Sequence, residues 1–213
     1  MKRQVQTALG CVAIACALIA VLYYQGFISS PERSPLPSSQ VMYDGKPAAY
    51  WISRLRSEDP VLRAQAVSAL DAIGGDDDRV VAALLEASQD AYAEVRINAI
   101  AALDKIGKQP EAVLPVLLKA AHDTRRLVRI HAVQALGHIQ STDDRIVPAL
   151  AEALQDRDDK VRELAVVALS RRGADARRAT EAIRRAQRDS WEKVRNRATE
   201  LLRTLEADNS KKN

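Results

Sequence analysis

Apolar and small residues recur along residues 45–209 at the spacing of one buried helical face, and this pattern returns every 33 residues. In the stretch that starts at Val95, such residues stand four, eight and eleven positions further on, at Ala99, Leu103 and Ile106. This spacing is typical of an amphipathic helix that packs one face against its neighbours. A shorter apolar stretch precedes each of these segments, so each 33-residue unit is predicted to fold as a pair of helices.

An arginine and an aspartate occupy the same two positions in successive units. The arginines are Arg63, Arg96, Arg129, Arg162 and Arg195. The aspartates stand six positions before four of them, and they are Asp90, Asp123, Asp156 and Asp189, with Ser57 in the first unit. Columns that keep their register without an insertion define repeats. The predicted units are 45–77, 78–110, 111–143, 144–176 and 177–209.

Residue types at the ends of the apolar stretches predict where the helices begin and end. Glycines that suit the position past a helix end follow three second helices, and they are Gly74, Gly107 and Gly173. Acidic residues suit a helix start, so the first helices are predicted to begin near Asp78, Glu111 and Asp144. Pro115 and Pro148 would then lie in the first turn, where a missing N–H costs least.

A lone helix pair cannot bury its apolar stripe, so the units are predicted to stack into an α-solenoid. The pattern D-x-x-x-x-V-R-x-x-A-x-x-A-L-x-x-I-G, as in DAYAEVRINAIAALDKIG, resembles the HEAT repeat in its short form. The resemblance covers residues 45–209 and implies a right-handed stack with the second helices lining a concave side. Tyr50 and Trp51 in the first unit and Trp191 in the fifth depart from the pattern, as capping repeats do.

The first 28 residues are predicted to form a membrane anchor. Residues 8–24 carry no charge over 17 positions, which is about 26 Å of helix and close to the lower limit for crossing a bilayer. A cleaved signal peptide and a lipoprotein modified at Cys11 or Cys16 are the alternatives. The pattern favours the uncleaved anchor for two reasons. The residues after Tyr24 do not place small side chains where cleavage of a signal peptide needs them, and the chain stays apolar after Cys16, where a lipoprotein would become polar.

Flanking charge predicts the topology of this anchor. Lys2 and Arg3 hold the amino end in the cytoplasm, so the repeat domain is expected on the periplasmic or extracellular side of a single-pass membrane protein. A secreted protein or a lipoprotein is the alternative. Residues 29–44 are rich in Pro and Ser and are predicted to form a tether, and residues 210–213 a polar tail. The predicted fold is therefore all-α, an α-solenoid of five two-helix HEAT-like repeats preceded by one transmembrane helix.

Composition narrows the function classes. Aromatic residues make up 4%, Gly and Pro number 8 each, and neither GxGxxG nor GxxxxGK[ST] occurs, which argues against β-barrels and nucleotide-binding folds. The net charge of +4 is uneven, because residues 157–213 carry 16 Lys/Arg and 10 Asp/Glu, whereas residues 1–156 carry 16 and 18. The basic end is either a solvated surface or a patch for an acidic protein, an anionic lipid or nucleic acid.

The arginine and aspartate columns are interpreted as a structural ladder. Because each arginine recurs beside an aspartate, it is expected to pair with aspartate side chains or helix-end carbonyls between neighbouring units. His131 and His138 are two helical turns apart and cannot both bind one metal ion directly. No catalytic residue, metal or cofactor is predicted, and the protein is not expected to be an enzyme.

The predicted binding surface is the concave face of the second helices. Residues two, five and nine positions after the column arginine should project together from it. The candidates are Gln65, Asn98, Lys105, His131, Gln134, His138, Arg171 and Arg197.

The sequence thus predicts a membrane-tethered HEAT-repeat scaffold that binds a protein partner through this face, with no small-molecule substrate. One alternative is a nucleic-acid-binding helical-repeat protein similar to the DNA-alkylation-repeat class, although no aromatic residues interleave with the arginines for base stacking. Another is an enzyme that resembles the HEAT-like chromophore lyases of phycobilisomes.

Overall fold

The structure is a computed structural model that describes residues 42–210, with side chains to residue 207. The predicted anchor at residues 1–28, residues 29–41 of the predicted tether and residues 211–213 of the predicted tail lie outside the described residues. Within residues 42–210, no helix combines the length and the apolar character needed to cross a membrane.

The described chain begins with a small β-hairpin. Strand β1 (Met42–Tyr43) pairs antiparallel with β2 (Lys46–Pro47), so that Met42 lies opposite Pro47. Asp44 and Gly45 form the turn with φ angles of 49° and 65°, and an Asp-Gly pair adopts this turn readily. The hairpin includes residues 42–44, which the sequence analysis assigned to the tether.

Ten α-helices, with one 3₁₀ helix, make up most of the described residues after the hairpin. In chain order they are α1 Ala48–Arg54, α2 Pro60–Ile73, α3 Asp78–Ala87, α4 Ala93–Ile106, α5 Pro110–Ala120, α6 Arg126–His138, α7 Ile146–Ala153, α8 Asp159–Arg171, the 3₁₀ helix Gly173–Ala179, α9 Thr180–Ala186 and α10 Glu192–Ser210. Odd-numbered helices are the first helices of the pairs and even-numbered helices are the second helices.

The second helices form one layer of the fold. Each of α2, α4, α6 and α8 packs against the next second helix along the chain, and each also packs against the first helix of its own pair. The first helices contact one another much less. The result is the stacked arrangement of an all-α solenoid, as the repeat pattern predicted.

One continuous apolar core runs through the stack, from Ala48 to Leu205. The alanine three positions after each column arginine is fully buried in all five copies, which are Ala66, Ala99, Ala132, Ala165 and Ala198. Small side chains at these positions allow the second helices to approach closely. The leucines four positions further on are also buried, and each such leucine contributes about 1.5–3 kcal/mol to the hydrophobic free energy of folding.

Gly137 marks a close approach between α6 and α8. A Cβ atom added to this glycine would lie 2.8 Å from the Cβ of Ala168 in α8 and 2.9 Å from its Cα. Real Cβ atoms do not approach other carbon atoms so closely, because the contact lies well inside the optimal separation. Gly137 is therefore required by the packing of α6 on α8.

Several helix ends follow the residue types that predicted them. Asp77 caps α3 by accepting a hydrogen bond from the backbone N–H of Arg79 at 3.0 Å. Gly107 follows α4 with φ of 63°, in the left-handed region that L-residues rarely adopt.

Two first helices begin within two residues of the predicted Glu111 and Asp144, but one proline lies elsewhere than predicted. Helix α5 begins at Pro110, so Pro115 lies inside the helix instead of in its first turn. Pro115 is exposed, so water can donate a hydrogen bond to the backbone carbonyl one turn earlier, which lacks an N–H partner. Helix α7 begins at Ile146, two residues after Asp144, because residues 142–145 form turn and irregular backbone. Pro148 does lie in the first turn of α7.

Aromatic side chains close the first end of the stack. The indole Nε1 of Trp51 donates a hydrogen bond to the carbonyl of Tyr43 at 3.2 Å, which ties the hairpin to α1. The Trp51 ring also packs edge-on against Tyr43 and Tyr50, with ring centroids 5.8 and 5.1 Å apart.

Candidate functional site

The column arginines and aspartates form a ladder that joins neighbouring units. The Nε and Nη atoms of each arginine donate to both carboxylate oxygens of the aspartate 27 residues later, at 2.7 to 2.9 Å. The four pairs are Arg63–Asp90, Arg96–Asp123, Arg129–Asp156 and Arg162–Asp189. The guanidinium and the carboxylate are matched planar groups, so each pair fixes the orientation of one unit against the next.

Each ladder arginine also holds the turn of its own unit. The second Nη donates to the carbonyl of the residue six positions earlier, at 2.8 to 3.0 Å in every unit. Thus one guanidinium connects the turn between the two helices of its own pair to the carboxylate of the next pair. Arg195 keeps the carbonyl contacts with Asp189 and Ser190, at the last second helix of the described chain.

The ladder aspartates shape the turns that carry them. Each accepts a hydrogen bond from the backbone N–H two residues later, at 2.7 to 2.8 Å. Ser57 accepts the equivalent bond from the N–H of Asp59 at 3.2 Å, so the hydroxyl replaces the carboxylate in the first unit. The predicted pairing with aspartate side chains between units is therefore present, whereas the carbonyl bonds of the column arginines lie within their own unit and not between units.

The environment of these carboxylates lowers their pKa. Partial burial acts to raise the pKa of Asp90, Asp123 and Asp156, but the arginine hydrogen bonds, the backbone N–H and the nearby positive charge together outweigh it. For Asp189 the hydrogen bonds from Arg162 are the largest influence, and they also hold its pKa below the usual value. All four ladder carboxylates are thus stabilised in the charged form.

The predicted binding residues lie on the exposed side of the second-helix layer, which we call the second-helix face. Gln65, Lys105, Arg171 and Arg197 are exposed, and Asn98, His131, Gln134 and His138 are partly exposed. The positions that they share in the repeat carry different residue types from unit to unit. This face therefore differs chemically along the stack, unlike the ladder.

Three side chains from successive second helices contact one another across this face. Nδ1 of His138 lies 2.9 Å from both carboxylate oxygens of Asp104, and Nε2 lies 2.6 Å from an Nη of Arg171. Since arginine can only donate, Nε2 of the imidazole must accept, and Nδ1–H therefore donates to Asp104. The same face carries an ion pair between Lys105 and Asp71 at 3.0 Å.

A buried acid that the sequence analysis did not identify lies beneath Arg197. The Glu163 side chain is 6% exposed, and its carboxylate accepts from Nζ of Lys160 at 2.7 Å and from Nε of Arg197 at 3.2 Å. Burial acts to raise its pKa, but Lys160 and Arg197 together hold that pKa below the usual value. Glu163 occupies a repeat position that is Ala64, Ile97 and Ile130 in the preceding units, and this departure was the available signal.

The arginines at the basic end of the chain have different roles. Arg172 donates to the carbonyls of Ile139 and Ser141, at 3.0 and 2.5 Å, and Arg178 contacts Asp144, so both hold adjacent units together. Arg185 and Arg188 are exposed, on and just after α9. The positive charge counted along the sequence is therefore divided between inter-unit contacts and two separate exposed surfaces.

Exposed apolar side chains mark the start of three second helices, and the sequence analysis missed them. Val61, Tyr92 and Leu127 are 59%, 52% and 47% exposed. Val61 lines an open groove with Tyr43, Gln65, Ser68 and Asn98, which we call the first groove. An apolar residue at the start of a helix fits the sequence pattern, so the sequence does not show that it is exposed. The structure shows that none of the described residues covers these three side chains.

The histidines are separated in the fold. Nδ1 of His122 lies 3.8 Å from the carboxylate of Glu152, whereas His131 and His138 lie on the second-helix face. In residues 42–210, no group of three or more His, Cys, Asp or Glu side chains is arranged to hold a metal ion.

A stack of helix pairs with an inter-unit ladder and an exposed second-helix face defines the class of α-solenoid repeat proteins. A family model described as HEAT repeats matches residues 48–136 and 114–203. These matches cover most of the chain, and the protein belongs to the HEAT-repeat family. No curated protein sequence matches the chain significantly.

Solved structures of repeat proteins are similar to this chain in fold. A designed armadillo repeat protein in complex with the peptide (KR)4 is 19% identical, with a TM-score of 0.56 over 73% of this chain and 80% of that one. A computationally designed armadillo repeat protein for modular peptide recognition is 20% identical, with a TM-score of 0.54 over 72% and 80%.

The complex of CpcE and CpcF of phycocyanin lyase from Nostoc sp. PCC7120 is also similar. It is 24% identical, with a TM-score of 0.56 over 73% of this chain and 97% of that one. At this level of identity, the three likenesses show the fold alone.

Proposed function

We propose that this protein is a scaffold whose second-helix face binds a protein partner. The observation that carries the proposal is the contrast within the second helices. Their ladder positions repeat the same residues, whereas the position two residues after the ladder arginine varies from Gln65 to His131 to Arg197. A repeated exposed surface with varied side chains is suited to recognising a particular partner along its length.

The size of the face indicates the kind of partner segment that fits. Five second helices stand side by side with an interaxial distance of about 9 Å, so the face extends over about 36 Å. An extended peptide advances about 3.3 Å per residue, and about 11 residues would therefore cover it. The designed armadillo neighbours, one of them in complex with a peptide, support the idea that a solenoid of this kind accommodates such a segment.

We further propose that residues 1–28 anchor the protein in a membrane and that the repeat domain is exported. The support is the uncharged run of residues 8–24 and the positive charge of Lys2 and Arg3 before it. Anchoring would raise the local concentration of the second-helix face near the bilayer. Protease added to intact spheroplasts should digest residues 45–209 but spare a cytoplasmic control, and protection of these residues would contradict the exported topology.

Binding, instead of catalysis, is the activity that we propose. His138 supports this because Asp104 and Arg171 occupy both of its ring nitrogens, which leaves no free basic nitrogen there. A nucleic-acid partner is the second possibility that the sequence raised. Two observations would favour it. Partner binding would fall steeply with salt, and the captured partner would be destroyed by nuclease and not by protease.

Site-specific photo-crosslinking tests the scaffold proposal. A photoreactive residue at Gln65 or Gln134 on the second-helix face should capture the same protein in the native cells. The matched controls are Glu86 in α3 and Glu181 in α9, which are exposed, as Gln65 is, but lie on first helices. Capture from the first helices and not from the second-helix face would overturn the proposed binding surface.

A further inference from the structure

The groove between α8 and α10, which we call the last groove, carries exposed positive side chains. It is lined by Val167, Ser170, Arg171, Arg197, Glu200 and Thr204, among others. At the other end of the stack, the first groove is lined by aromatic, aliphatic and neutral polar residues with one acid, Glu94. The two ends of the second-helix face therefore differ in charge.

A buried carboxylate fixes the cations at one end of the last groove. Glu163 is buried, and the Lys160 and Arg197 side chains that contact it remain half-exposed. Burying an ion pair contributes little net stability, because removing both charges from water offsets their attraction. Glu163 takes the place of an apolar residue in this column, and its main physical effect is to hold two cationic side chains at the surface.

A second contact fixes Arg171 at the other end of the same groove. Nε2 of His138 binds one Nη of Arg171, and His138 is itself held by Asp104. A free arginine loses about 2 kcal/mol of side-chain entropy when it is immobilised, so an arginine that is already held loses less on binding a ligand. The remaining guanidinium donors of Arg171 and Arg197 have no partner among the described residues.

We propose that the last groove binds an acidic segment of the protein partner, with one carboxylate on Arg171 and a second on Arg197. This inference rests on the proposed scaffold function. Arg171 stands nine residues after the ladder arginine of its unit and Arg197 stands two after its own, a difference of seven positions or about 10.5 Å along the helix axis. The two helices that carry them lie about 9 Å apart. The backbones of the two arginines are therefore about 14 Å apart, the span of about four extended residues. The segment carries two acidic residues at that separation.

Several features favour a protein segment over nucleic acid. Within the described chain, no aromatic side chain lines the last groove, so bases would find no stacking surface. A peptide can place neutral residues beside Glu200 and above Glu163 and carry carboxylates only at the arginines, whereas a phosphate backbone carries a charge at every nucleotide. Val167 and Leu201 offer apolar contacts to the aliphatic parts of a peptide.

Fluorescence anisotropy with a labelled octaglutamate peptide tests this assignment. The full chain should be used, in mild detergent because of its apolar residues 8–24. We expect saturable binding at low salt, and the Arg171→Ala/Arg197→Ala variant should weaken it about tenfold or more, since hydrogen bonds between charged groups are lost. Octalysine of the same length should not bind at this groove.

Two further variants separate the groove from general electrostatics and from misfolding. Arg185→Ala/Arg188→Ala removes the same charge from the first-helix side of the same region, and it should change the affinity less than about twofold. Glu200→Gln removes a repelling carboxylate from the groove, and it should strengthen binding by about twofold to threefold. A gain of affinity cannot arise from an unfolded variant.

Three outcomes would overturn the inference. They are an equal loss in both double variants, no gain with Glu200→Gln, and tighter binding of an eight-nucleotide oligothymidylate that depends on Arg171 and Arg197. If these occur while Gln65 and Gln134 still crosslink to a partner, the scaffold function stands and only the acidic chemistry is wrong. If crosslinking also fails from the second-helix face, the proposed function fails too.

Discussion

The ladder and the second-helix face lie on the same five second helices and follow the same 33-residue register. The ladder repeats one arginine in every unit and one aspartate in four, with bonds of 2.7 to 2.9 Å between units. The second-helix face repeats only positions, which carry glutamine, asparagine, histidine or arginine. Residues that must meet an identical partner in each unit stay the same, and residues that meet solvent are free to differ.

Lowering the pH should have the largest effect on the free energy of unfolding, because it protonates all four ladder carboxylates and leaves the neutral polar residues of the second-helix face unchanged. Their pKa values are lowered in the folded chain, so the unfolded chain binds more protons as the pH falls past about 4. The stability that the ladder supplies is therefore complete above about pH 4 and is lost as the pH falls through the lowered pKa values. Urea unfolding followed by circular dichroism between neutral and acidic pH measures this loss.

The Asp156→Asn variant provides the control for the acid experiment. It should be less stable than the native chain at neutral pH, and the gap should narrow in acid because the native carboxylate is then protonated as well. A gap that stays constant with pH would show that this carboxylate does not contribute through its charge.

Arg129→Ala should produce the next largest effect. The Arg129 side chain is 5% exposed, and its loss leaves Asp156 without its guanidinium, at a cost of about 3 kcal/mol in the free energy of unfolding. Arg195→Ala is the matched control, since among the described residues the hydrogen bonds of Arg195 go to carbonyls and to no aspartate side chain, and it should cost about 1 kcal/mol. Thermal melts measure both, and an equal loss from the two variants would contradict the inter-unit role of the ladder.

Gly137→Ala should have a somewhat smaller effect. The added methyl group would overlap Ala168 in α8, and the overpacking should cost about 2 kcal/mol. Combining it with Ala168→Gly removes the overlap with the Cβ of Ala168 but not the overlap with its Cα, so the double variant should recover part of the loss relative to the sum of the two single effects. Simple additivity in chemical unfolding would mean that the two helices can separate without cost.

Gln134→Ala should have the smallest effect on stability, within about 0.5 kcal/mol, because its side chain is partly exposed on the second-helix face. In contrast to the ladder variants, it should reduce partner capture by the crosslinker at Gln65, which lies two second helices away on the same face. Gln155→Ala, just after α7, serves as the control and should change neither quantity. A large destabilisation by Gln134→Ala would remove the distinction between the two regions.

Much of this fold follows from the sequence pattern. The 33-residue period predicts the helix pairs and the solenoid, and the structure and the HEAT-repeat match confirm both. Helix starts were predictable to within one or two residues, as Pro110 and Ile146 illustrate, because either a proline or an acidic residue nearby can begin a helix. The anchor at residues 1–28 and the partner remain predictions.

Candidate site residues were predictable as positions but not as contacts. The spacing of Gln65, Asn98 and Gln134 was sufficient to assign them to one face. The contact of His138 with Arg171 joins the same repeat position in successive units, 33 residues apart, whereas its contact with Asp104 joins two different positions, 34 residues apart. Such contacts depend on the length and direction of the side chains that cross between helices. The spacing of residues along the chain does not predict these contacts.

The sequence by itself determined the repeat, the helix pairs and the ladder columns, because each depends on a local pattern that recurs. Only the tertiary structure decided which aspartate each arginine meets, namely the one 27 residues later and not the one six residues before. It also decided that Glu163 is buried beneath Arg197 and that Gly137 touches α8. The physical reason is that these contacts depend on the distance and angle between stacked helices, which the packing of the whole layer sets.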